Sequence, residues 1–340
     1  MSKVISCASY YGSGSSAVID YLGEFEGVKS LTNYEFRFLQ DPDGVSELEY
    51  NLCENFNRHN SGHALKRYKK LVDYYGNHLL VKRYEPFFDN KWKEISYDYI
   101  DSLVDFSHPG IWQYDFYDKG PWYEFWHKLP DRLLHKTFWK NKPDKHFFFD
   151  RSVTYGAHPT EDKFLKCTRK YTSRLFNAAN KEKAPYLLLD QLIPSTNIKR
   201  HMRYLDNIKV FVVDRDPRDV YLLSKYVWKD GMVPSDLALF CKWFEYARSQ
   251  KDIENSDPEN ILFLKFEDLI YKYDETTEKI REWVGISECN HKNKFKYLDP
   301  SKSIKNTRYW ISHPEYTDEA NYIAEHLKEY LYDYDDINME

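Results

Sequence analysis

The sequence lacks the long apolar stretch that a membrane-spanning segment requires. Its longest apolar runs, residues 208–213 and 186–189, are far shorter than the roughly 20 residues of a transmembrane helix. Residues 1–6 have no apolar stretch with a small-residue cleavage site, so no signal peptide is predicted. We therefore expect a chain without a membrane span, located in the cytoplasm.

Cysteine is scarce, with 5 residues scattered over the chain and no C-x-x-C pair. An odd and scattered set favours reduced thiols over a disulfide framework. His59 and His63 form an H-x-x-x-H pair, but the glutamate of H-E-x-x-H is absent and Gly62 lies between them. We expect these two histidines to be solvated, and we predict no metal site.

Neither sign of charge dominates the chain, whose formal net charge is -5. This balance argues against nucleic acid as the main partner. Aromatic residues are abundant instead, at 18%, and many of them fall between residues 84 and 155. Two interpretations stay open: an aromatic core under a large insertion, or rings that line a groove for sugars.

Four short apolar segments have the pattern of buried parallel strands, namely residues 4–9, 186–190, 209–214 and 261–266. Residues 79–82 are a fifth candidate strand. Together they predict an α/β fold with a P-loop-like central parallel sheet flanked by helices. Residues 40–180 are polar, aromatic and mostly helical by pattern, so we predict a large helical, aromatic-rich insertion within a single domain of residues 1–340.

A glycine- and serine-rich loop follows the first predicted strand and leads into a helix. Such a loop offers free amides and hydroxyl donors at a helix N-terminus, and its glycines allow a phosphate to approach closely. The alternative is a tight turn with an ordinary serine cap. The candidate phosphate ligands are Gly12, Ser13, Gly14, Ser15, Ser16 and Ala17. In the Walker A frame the lysine position is taken by Ser15, so an ATPase would lack its key residue.

Arg215 follows the predicted strand at residues 209–214, and Asp216 and Pro217 then begin a helix as N-cap and first helical residue. Ligands of open α/β sheets bind at the carboxyl ends of the strands. An arginine at such a strand end can bind a phosphate through two parallel hydrogen bonds. The alternative is a structural arginine paired with Asp216 or Asp219.

Taken together, the two motifs resemble sulfotransferases that use 3′-phosphoadenosine-5′-phosphosulfate (PAPS). The loop S-Y-Y-G-S-G-S-S at residues 9–16 is similar to the family form T-Y-P-K-S-G-T-T, with Tyr11 for proline and Gly12 for the basic residue. R-D-P-R-D-V at residues 215–220 resembles the 3′-phosphate motif R-N-P-K-D-V. Ser224 is the nearest match to that motif's serine, although the usual spacing would fall on Leu223.

Later segments resemble the same family. F-E-D-L at residues 266–269 is similar to a strand end that reads Y-E-D-L, and its role there is structural. Residues 306–310 resemble the loop that closes over the adenosine and the 3′-phosphate. The resemblance therefore implies that Asn306, Arg308 and Trp310 bind the nucleotide.

Residues 30–39 resemble the segment N-E-V-H-F-F of heparan-type sulfotransferases, in which the glutamate is the base. Glu35 matches that glutamate, and Arg37 takes the place of the histidine. The alternative is a half-exposed strand or turn with a solvated ion pair. Asp190, at a predicted strand end, is a second candidate base or acceptor ligand, unless it caps a helix or loop. Lys82, Arg83 or Arg37 could replace the basic residue missing at Gly12.

The resemblance implies transfer of a sulfuryl group from PAPS to an acceptor hydroxyl, with 3′-phosphoadenosine-5′-phosphate (PAP) as the product. The expected acceptor is a carbohydrate, the insertion is expected to build the acceptor side, and no metal is required. Two alternatives remain. One is a P-loop-type nucleotide kinase, against which the missing Walker lysine argues. The other is a non-catalytic nucleotide- or glycan-binding relative, which Gly12 keeps open.

Overall fold

The structure is a computed structural model that describes residues 2–78, 81–147, 152–254 and 257–334. Its strands are β1 (Lys3–Ser9), β2 (Val28–Glu35), β3 (Asn77–His78), β4 (Val81–Lys82), β5 (Phe106–Gly110), β6 (Ser152–Gly156), β7 (Tyr186–Asp190), β8 (Ile208–Asp214) and β9 (Ile261–Lys265). Its helices are α1 (Ser16–Gly23), α2 (Val45–Glu49), α3 (Arg58–Gly76), α4 (Trp92–Leu103), α5 (Tyr114–Lys119), α6 (Pro121–Lys136), α7 (Glu161–Ala179), α8 (Ile198–Met202), α9 (Pro217–Leu222), α10 (Leu237–Arg248), α11 (Lys251–Glu254), α12 (Asp268–Tyr271), α13 (Tyr273–Val284), α14 (Pro300–Ser303), α15 (Tyr309–Ser312) and α16 (Thr317–His326).

The chain divides into two compact units. One unit contains residues 1–41, 87–89 and 172–340, and the other contains residues 42–86 and 90–171. One of the points at which the chain passes between them, residues 171 and 172, falls inside α7. The sequence prediction of one domain with an insertion at about residues 40–180 stays a prediction.

The first unit is built on a five-stranded sheet with the order β2-β7-β1-β8-β9, in which every neighbouring pair is parallel. β1 lies in the middle, because the chain returns to one side of it with β7 and crosses to the other side with β8. Ligands of open parallel sheets bind at such a switch point, outside the carboxyl ends of the strands. The α/β fold with a central parallel sheet and flanking helices is confirmed.

Both faces of this sheet are covered. Val4 and Ala8 alternate along β1 with Ile5 and Cys7, and all four are buried. Because successive side chains of a strand point to opposite faces, this burial requires cover on both sides. Ile5 and Cys7 belong to the main core cluster with α1 and α13, whereas Val4 lies beside Phe176 of α7 on the other face.

The four predicted strands are confirmed as β1, β7, β8 and β9, with ends that differ by one residue at most. The prediction for residues 79–82 as a further strand of this sheet is wrong for its described part. Residues 79 and 80 lie outside the described residues, and β4 pairs antiparallel with β3 in a separate ribbon. The fifth strand of the sheet is β2. For the residues around Glu35 the sequence pattern did not decide between a strand and a turn.

A buried carboxylate ties the last third of the chain to α1. Glu24, at the end of α1, is fully buried and accepts hydrogen bonds from the Nε2 atom of His291 at 2.6 Å and from the amides of Tyr297 and Leu298 at 2.8 and 3.0 Å. The ring of Phe25 stacks on His291, with centroids 4.3 Å apart. Buried carboxylates persist when several donors satisfy them, and Glu24 has four, including the amide of Phe295.

The second unit contains α2 to α6, the first part of α7, and the two-stranded antiparallel ribbons β3-β4 and β5-β6. Its core is aromatic and partly polar. Tyr68 donates to the hydroxyl of Tyr171 at 3.1 Å, and the rings of Tyr99 and Tyr171 stack with centroids 4.5 Å apart. The indole of Trp92 donates to the carbonyl of Val72 at 2.9 Å. The aromatic-rich composition is therefore used at least partly to build a core.

Among the described residues, every helix is too short or too polar to cross a lipid bilayer.

Candidate functional site

The loop between β1 and α1 wraps tightly around its own backbone. Gly12 and Gly14 have φ values of 71° and 83°, in the left-handed region that side chains other than glycine rarely adopt. A Cβ atom at Gly14 would lie 2.6 Å from the ring of Phe266. Both backbone conformation and space therefore require glycine at position 14, as expected for a loop that cradles a ligand with its amides.

Some hydrogen-bond donors of this loop bond within the loop itself, and others have no acceptor among the described residues. Ser13 is buried, and its hydroxyl and amide both donate to the carbonyl of Tyr10, at 2.7 and 3.1 Å. The amide of Ala17 donates to the carbonyl of Gly14 at 3.0 Å. No described residue accepts from the amides of Gly14, Ser15 or Ser16. These three amides, at the N-terminus of α1, are the donors available to an anion.

An aromatic side chain packs beside Gly12, the position at which the loop has no basic residue. A Cβ atom at this position would lie 3.0 Å from the indole ring of Trp228. Trp228 ends a π-helical turn, Leu223–Trp228, that continues α9. An aromatic ring therefore lies where the side chain of a family lysine would start, and the left-handed backbone of Gly12 also disfavours a lysine there.

Arg215 is buried at the carboxyl end of β8, beside the loop. Its Nη1 atom donates to the carbonyl of Gly12 at 3.3 Å, and its Nη2 atom donates to the carbonyl of Asn306. Its Nε atom has no hydrogen-bond partner among the described residues. The guanidinium carbon lies 4.6 Å from the centre of the Phe266 ring, and burial lowers the pKa of Arg215. Arg215 thus joins the phosphate loop to the segment around Asn306.

The acidic residues near Arg215 have other partners. Asp216 forms an ion pair with Arg218 at 2.7 Å, and Asp219 accepts from the amides of Arg308 and Tyr309 at 3.0 and 2.9 Å. Neither acid lies within 4.0 Å of Arg215 as an ion pair among the described residues. Burial raises the pKa of Asp219 to about 6, although the charge of Arg215 acts against the increase. The predicted alternative of an Arg215 ion pair with either acid is not the arrangement found.

The segment around Asn306 lines a cleft of about 750 Å³. Asn306 and Arg308, both predicted nucleotide ligands, are among the lining residues, together with Leu223 and Tyr271. Ser224 is buried and does not line the cleft, because the turn that continues α9 presents Leu223 there instead.

Trp310, the third predicted ligand of this segment, also lies outside the cleft lining. The guanidinium of Arg218 lies 4.0 Å from the centre of the Trp310 ring. The indole is therefore engaged in a cation–π contact with Arg218, in the first turn of α9.

The two candidate bases are neighbours. Glu35 on β2 and Asp190 on β7 are register partners, and the amide of Phe36 donates to the carbonyl of Asp190 at 2.9 Å. Glu35 is exposed, and one of its oxygens lies 3.7 Å from the guanidinium of Arg37, which also pairs with Asp41 at 2.8 Å. The ion pair that the sequence offered as an alternative therefore exists, beside a second carboxylate.

Asp190 differs from Glu35 in its surroundings. It is half-buried, and its Oδ1 atom is shielded from solvent and has no hydrogen-bond partner among the described residues. Burial, together with the nearby charge of Glu35, raises the pKa of Asp190 to about 7. A carboxyl group in this range exchanges a proton near neutral pH, which is the property required of a general acid or base.

The sheet register therefore brings together the loop after β1, Arg215 after β8, Asp190 at the end of β7 and Glu35 at the end of β2. The side chain of Lys82 lies outside the described residues, so its predicted role stays a prediction. Sequence reasoning missed the two aromatic residues that pack on the loop glycines, Trp228 and Phe266. Phe266 was noted only as part of F-E-D-L and Trp228 in no motif, because their packing on the loop joins positions more than 200 residues apart.

No protein-family model matches the chain, and no curated protein matches it. Solved structures of sulfotransferases do. STF9 from Mycobacterium avium matches over 100% of this chain and 78% of its own, at 11% identity and a TM-score of 0.38. The sulfotransferase domain of the Synechococcus PCC 7002 olefin synthase matches over 98% and 95%, at 12% identity and a TM-score of 0.42.

STF1 from Mycobacterium tuberculosis H37Rv matches over 91% of this chain and 77% of its own, at 10% identity and a TM-score of 0.34. All three are sulfotransferases, the class whose motifs the sequence resembles. At these scores and identities they carry no part of the functional argument, which rests on the residues of this chain.

The environment of Asp190 predicts a pH-dependent stability. In the folded chain Asp190 has a pKa of about 7, so it keeps its proton up to about that pH. In the unfolded chain it releases the proton near pH 4. Stability is therefore lost as the pH rises between these values. Asp190→Asn should gain roughly 1–3 kcal/mol relative to the wild type between pH 5 and pH 8. Urea unfolding at both pH values measures the gain, and an equal difference at both would contradict the assignment.

Proposed function

We propose that this chain is a PAPS-dependent sulfotransferase with a carbohydrate hydroxyl as acceptor. The observation that carries the proposal is the grouping of an anion-binding loop, a buried arginine and two carboxylates at the ends of neighbouring parallel strands. Loop and arginine follow β1 and β8, and the carboxylates end β7 and β2. A nucleotide with phosphates at both ends of its ribose requires two anion sites, and an acceptor hydroxyl requires a base.

The donor is proposed to bind with its 5′-phosphosulfate on the loop. The open amides of Gly14, Ser15 and Ser16, together with the serine hydroxyls, suit this group. The 3′-phosphate is assigned to Arg215, and the adenosine to the cleft lined by Asn306 and Arg308. Support for this assignment is the hydrogen bonding of Arg215 to the carbonyls of both Gly12 and Asn306.

In the proposed reaction the acceptor oxygen attacks the sulfur atom, and the bond between sulfur and the 5′-phosphate oxygen breaks. Glu35 takes the hydroxyl proton, and PAP leaves with the electron pair of the broken bond. Oriented donors stabilise the charge that develops on the leaving phosphate. With Gly12 in place of a basic residue, the loop amides carry most of this task, and Arg37 and Lys82 stay proposed substitutes. No metal takes part in this scheme.

A non-catalytic binding protein is the second candidate function. The contact between Gly12 and Trp228 favours it, because this contact removes the position from which the family lysine acts. The two functions make the same prediction for nucleotide binding and opposite predictions for turnover with labelled PAPS.

PAP should stabilise the folded chain more than ATP does, without added metal. The physical reason is that PAP presents phosphates to both anion sites, whereas ATP presents only a 5′ chain. At 100 times its dissociation constant a ligand adds about 2.7 kcal/mol of stability. Thermal-shift titrations with and without Mg²⁺ measure the effect. A larger, Mg²⁺-dependent shift with ATP would favour the kinase alternative instead.

Arg215→Lys should weaken PAP binding by roughly 1.5–3 kcal/mol, the range for hydrogen bonds to charged groups. Lysine retains the positive charge near Asp219 and Glu267 but lacks the planar pair of donors. Adenosine 5′-phosphosulfate lacks the 3′-phosphate, so its affinity should change much less. Calorimetry with both ligands tests the difference, with Arg281→Lys on α13 as a control. Equal losses for the two ligands would argue for a purely structural Arg215.

Glu35→Gln should reduce turnover by at least about a hundredfold and leave PAP affinity and thermal stability close to wild type. Glutamine retains the shape of the side chain and removes its basicity. A panel of glycans with labelled PAPS identifies the acceptor first, and Glu182→Gln serves as an exposed acidic control in the same unit. Near-normal turnover would move the base to Asp190. Unfolding would show that Glu35 is a structural partner of Arg37.

A further inference from the structure

Three side chains with metal-binding atoms converge on the second half of α6 and the segment that follows it. Asp131 and His135 are one helical turn apart on α6 and therefore share a face. His146 is brought to the same place by the chain that follows the helix. A carboxylate oxygen of Asp131 and one ring nitrogen of each histidine all lie within 4.8 Å of one another. We propose that Asp131, His135 and His146 bind a Zn²⁺ ion.

The donor set favours a transition metal such as zinc over calcium or magnesium. Two imidazoles and one carboxylate suit zinc, whereas calcium and magnesium prefer oxygen ligands. Zinc lies about 2.1 Å from such donors, which puts tetrahedral donors about 3.4 Å apart. The Oδ2 atom of Asp131 is already 3.8 Å from the Nδ1 atom of His146. Rotations of these half-buried and exposed side chains would bring the donors to this spacing, and water would be the fourth ligand.

Neighbouring contacts orient the ligands. The Oδ1 atom of Asp131 accepts from the amide of Phe147 at 2.7 Å, which holds the residue after His146 against α6. The Nδ1 atom of His135 lies 2.9 Å from the carbonyl of Asp131. The same Nδ1 atom lies 3.6 Å from the Oδ2 atom of Asp131. A histidine that donates through one ring nitrogen to a carbonyl binds a metal through the other, so His135 would bind zinc through Nε2. The rings of Trp139 and His135 pack edge to face, with centroids 5.8 Å apart.

The burial of this segment is a second, independent observation. No residue from 121 to 147 is buried, so hydrophobic packing contributes little to fixing the chain after α6. Segments without a core of their own gain order from a cross-link, and a structural metal is one such cross-link. The ion would tie residues 137–147 to α6. This role is structural, and it does not rest on the proposed sulfuryl transfer.

Metal binding can be measured on the whole chain after treatment with a chelator, by calorimetric titration with Zn²⁺ and by the visible absorption of bound Co²⁺. The expected result is one tightly bound ion per chain. Asp131→Asn and His146→Ala should each weaken binding at least about tenfold. Asp131→Asn keeps an acceptor for the Phe147 amide, so its folding is preserved without metal.

His127→Ala is the matched control. His127 lies on the same helix, and its Nδ1 atom is 2.8 Å from the carbonyl of Tyr123, which repeats the contact of His135 outside the cluster. Its substitution should leave zinc affinity unchanged. An absence of stoichiometric binding, or equal affinities for the wild type, Asp131→Asn and His146→Ala, would overturn the proposal.

Limited trypsin digestion supplies a readout of the structural role. Trypsin can cleave after Lys136, Lys140 and Lys145, which lie in or next to the segment that the ion would hold. Zn²⁺ should slow cleavage there in the wild type and in His127→Ala, and should not do so in His146→Ala. Equal cleavage of the wild type with and without Zn²⁺ would overturn the structural role. Neither measurement uses a sulfate donor or an acceptor.

Discussion

The carboxylate of Asp214, buried at the end of β8, is held by three cations. Arg248 donates to it from two nitrogens at 2.8 and 3.0 Å, Lys251 lies at 2.8 Å and Lys265 at 3.7 Å. Burial alone would raise the pKa of Asp214, but these cations outweigh it and hold the pKa below its usual range. The same carboxylate accepts from the amide of Arg215 at 2.9 Å, so this network fixes the residue from which the proposed nucleotide site is built. Removal of one partner from such a buried network typically costs about 3–5 kcal/mol.

The parallel register of the sheet aligns the end of β8 with the ends of β1 and β7. β1 lies between β7 and β8, and its loop therefore opens beside both Asp190 and Arg215. The loop is shaped from outside as well, because Trp228 and Phe266 pack where Gly12 and Gly14 have no side chain. An aromatic ring thus packs at the position where the loops that this one resembles have a basic residue. A lysine at position 12 would crowd the ring of Trp228 and adopt a strained backbone.

The sequence predicted the parts that depend on local pattern. Continuous apolar runs identified β1, β7, β8 and β9, because parallel strands are buried on both faces. β2 alternates with polar residues and ends at the exposed Glu35, so its pattern resembled a half-exposed strand or a turn. Residues 79–82 were apolar enough to suggest a strand. Which sheet a strand joins depends on its pairing partners, and hydropathy does not predict these. The same limit applies to Leu223 and Ser224, since a π-helical turn shifts which of them lines the cleft.

The charge at the proposed acceptor side depends on Glu35 and Asp190, and the sequence alone did not predict that these two residues are neighbours. Glu35 and Asp190 are 155 positions apart, and the register of β2 with β7 makes them neighbours. Two close carboxylates disfavour two negative charges, and the less solvated one takes the proton. Asp190 is that residue, because it is half-buried with a shielded oxygen, whereas Glu35 reaches solvent beside Arg37. Exposure also matters for the chemistry, since an acceptor hydroxyl can approach only the accessible carboxylate. The geometry therefore favours Glu35 as the proposed base, with Asp190 limiting the negative charge beside it.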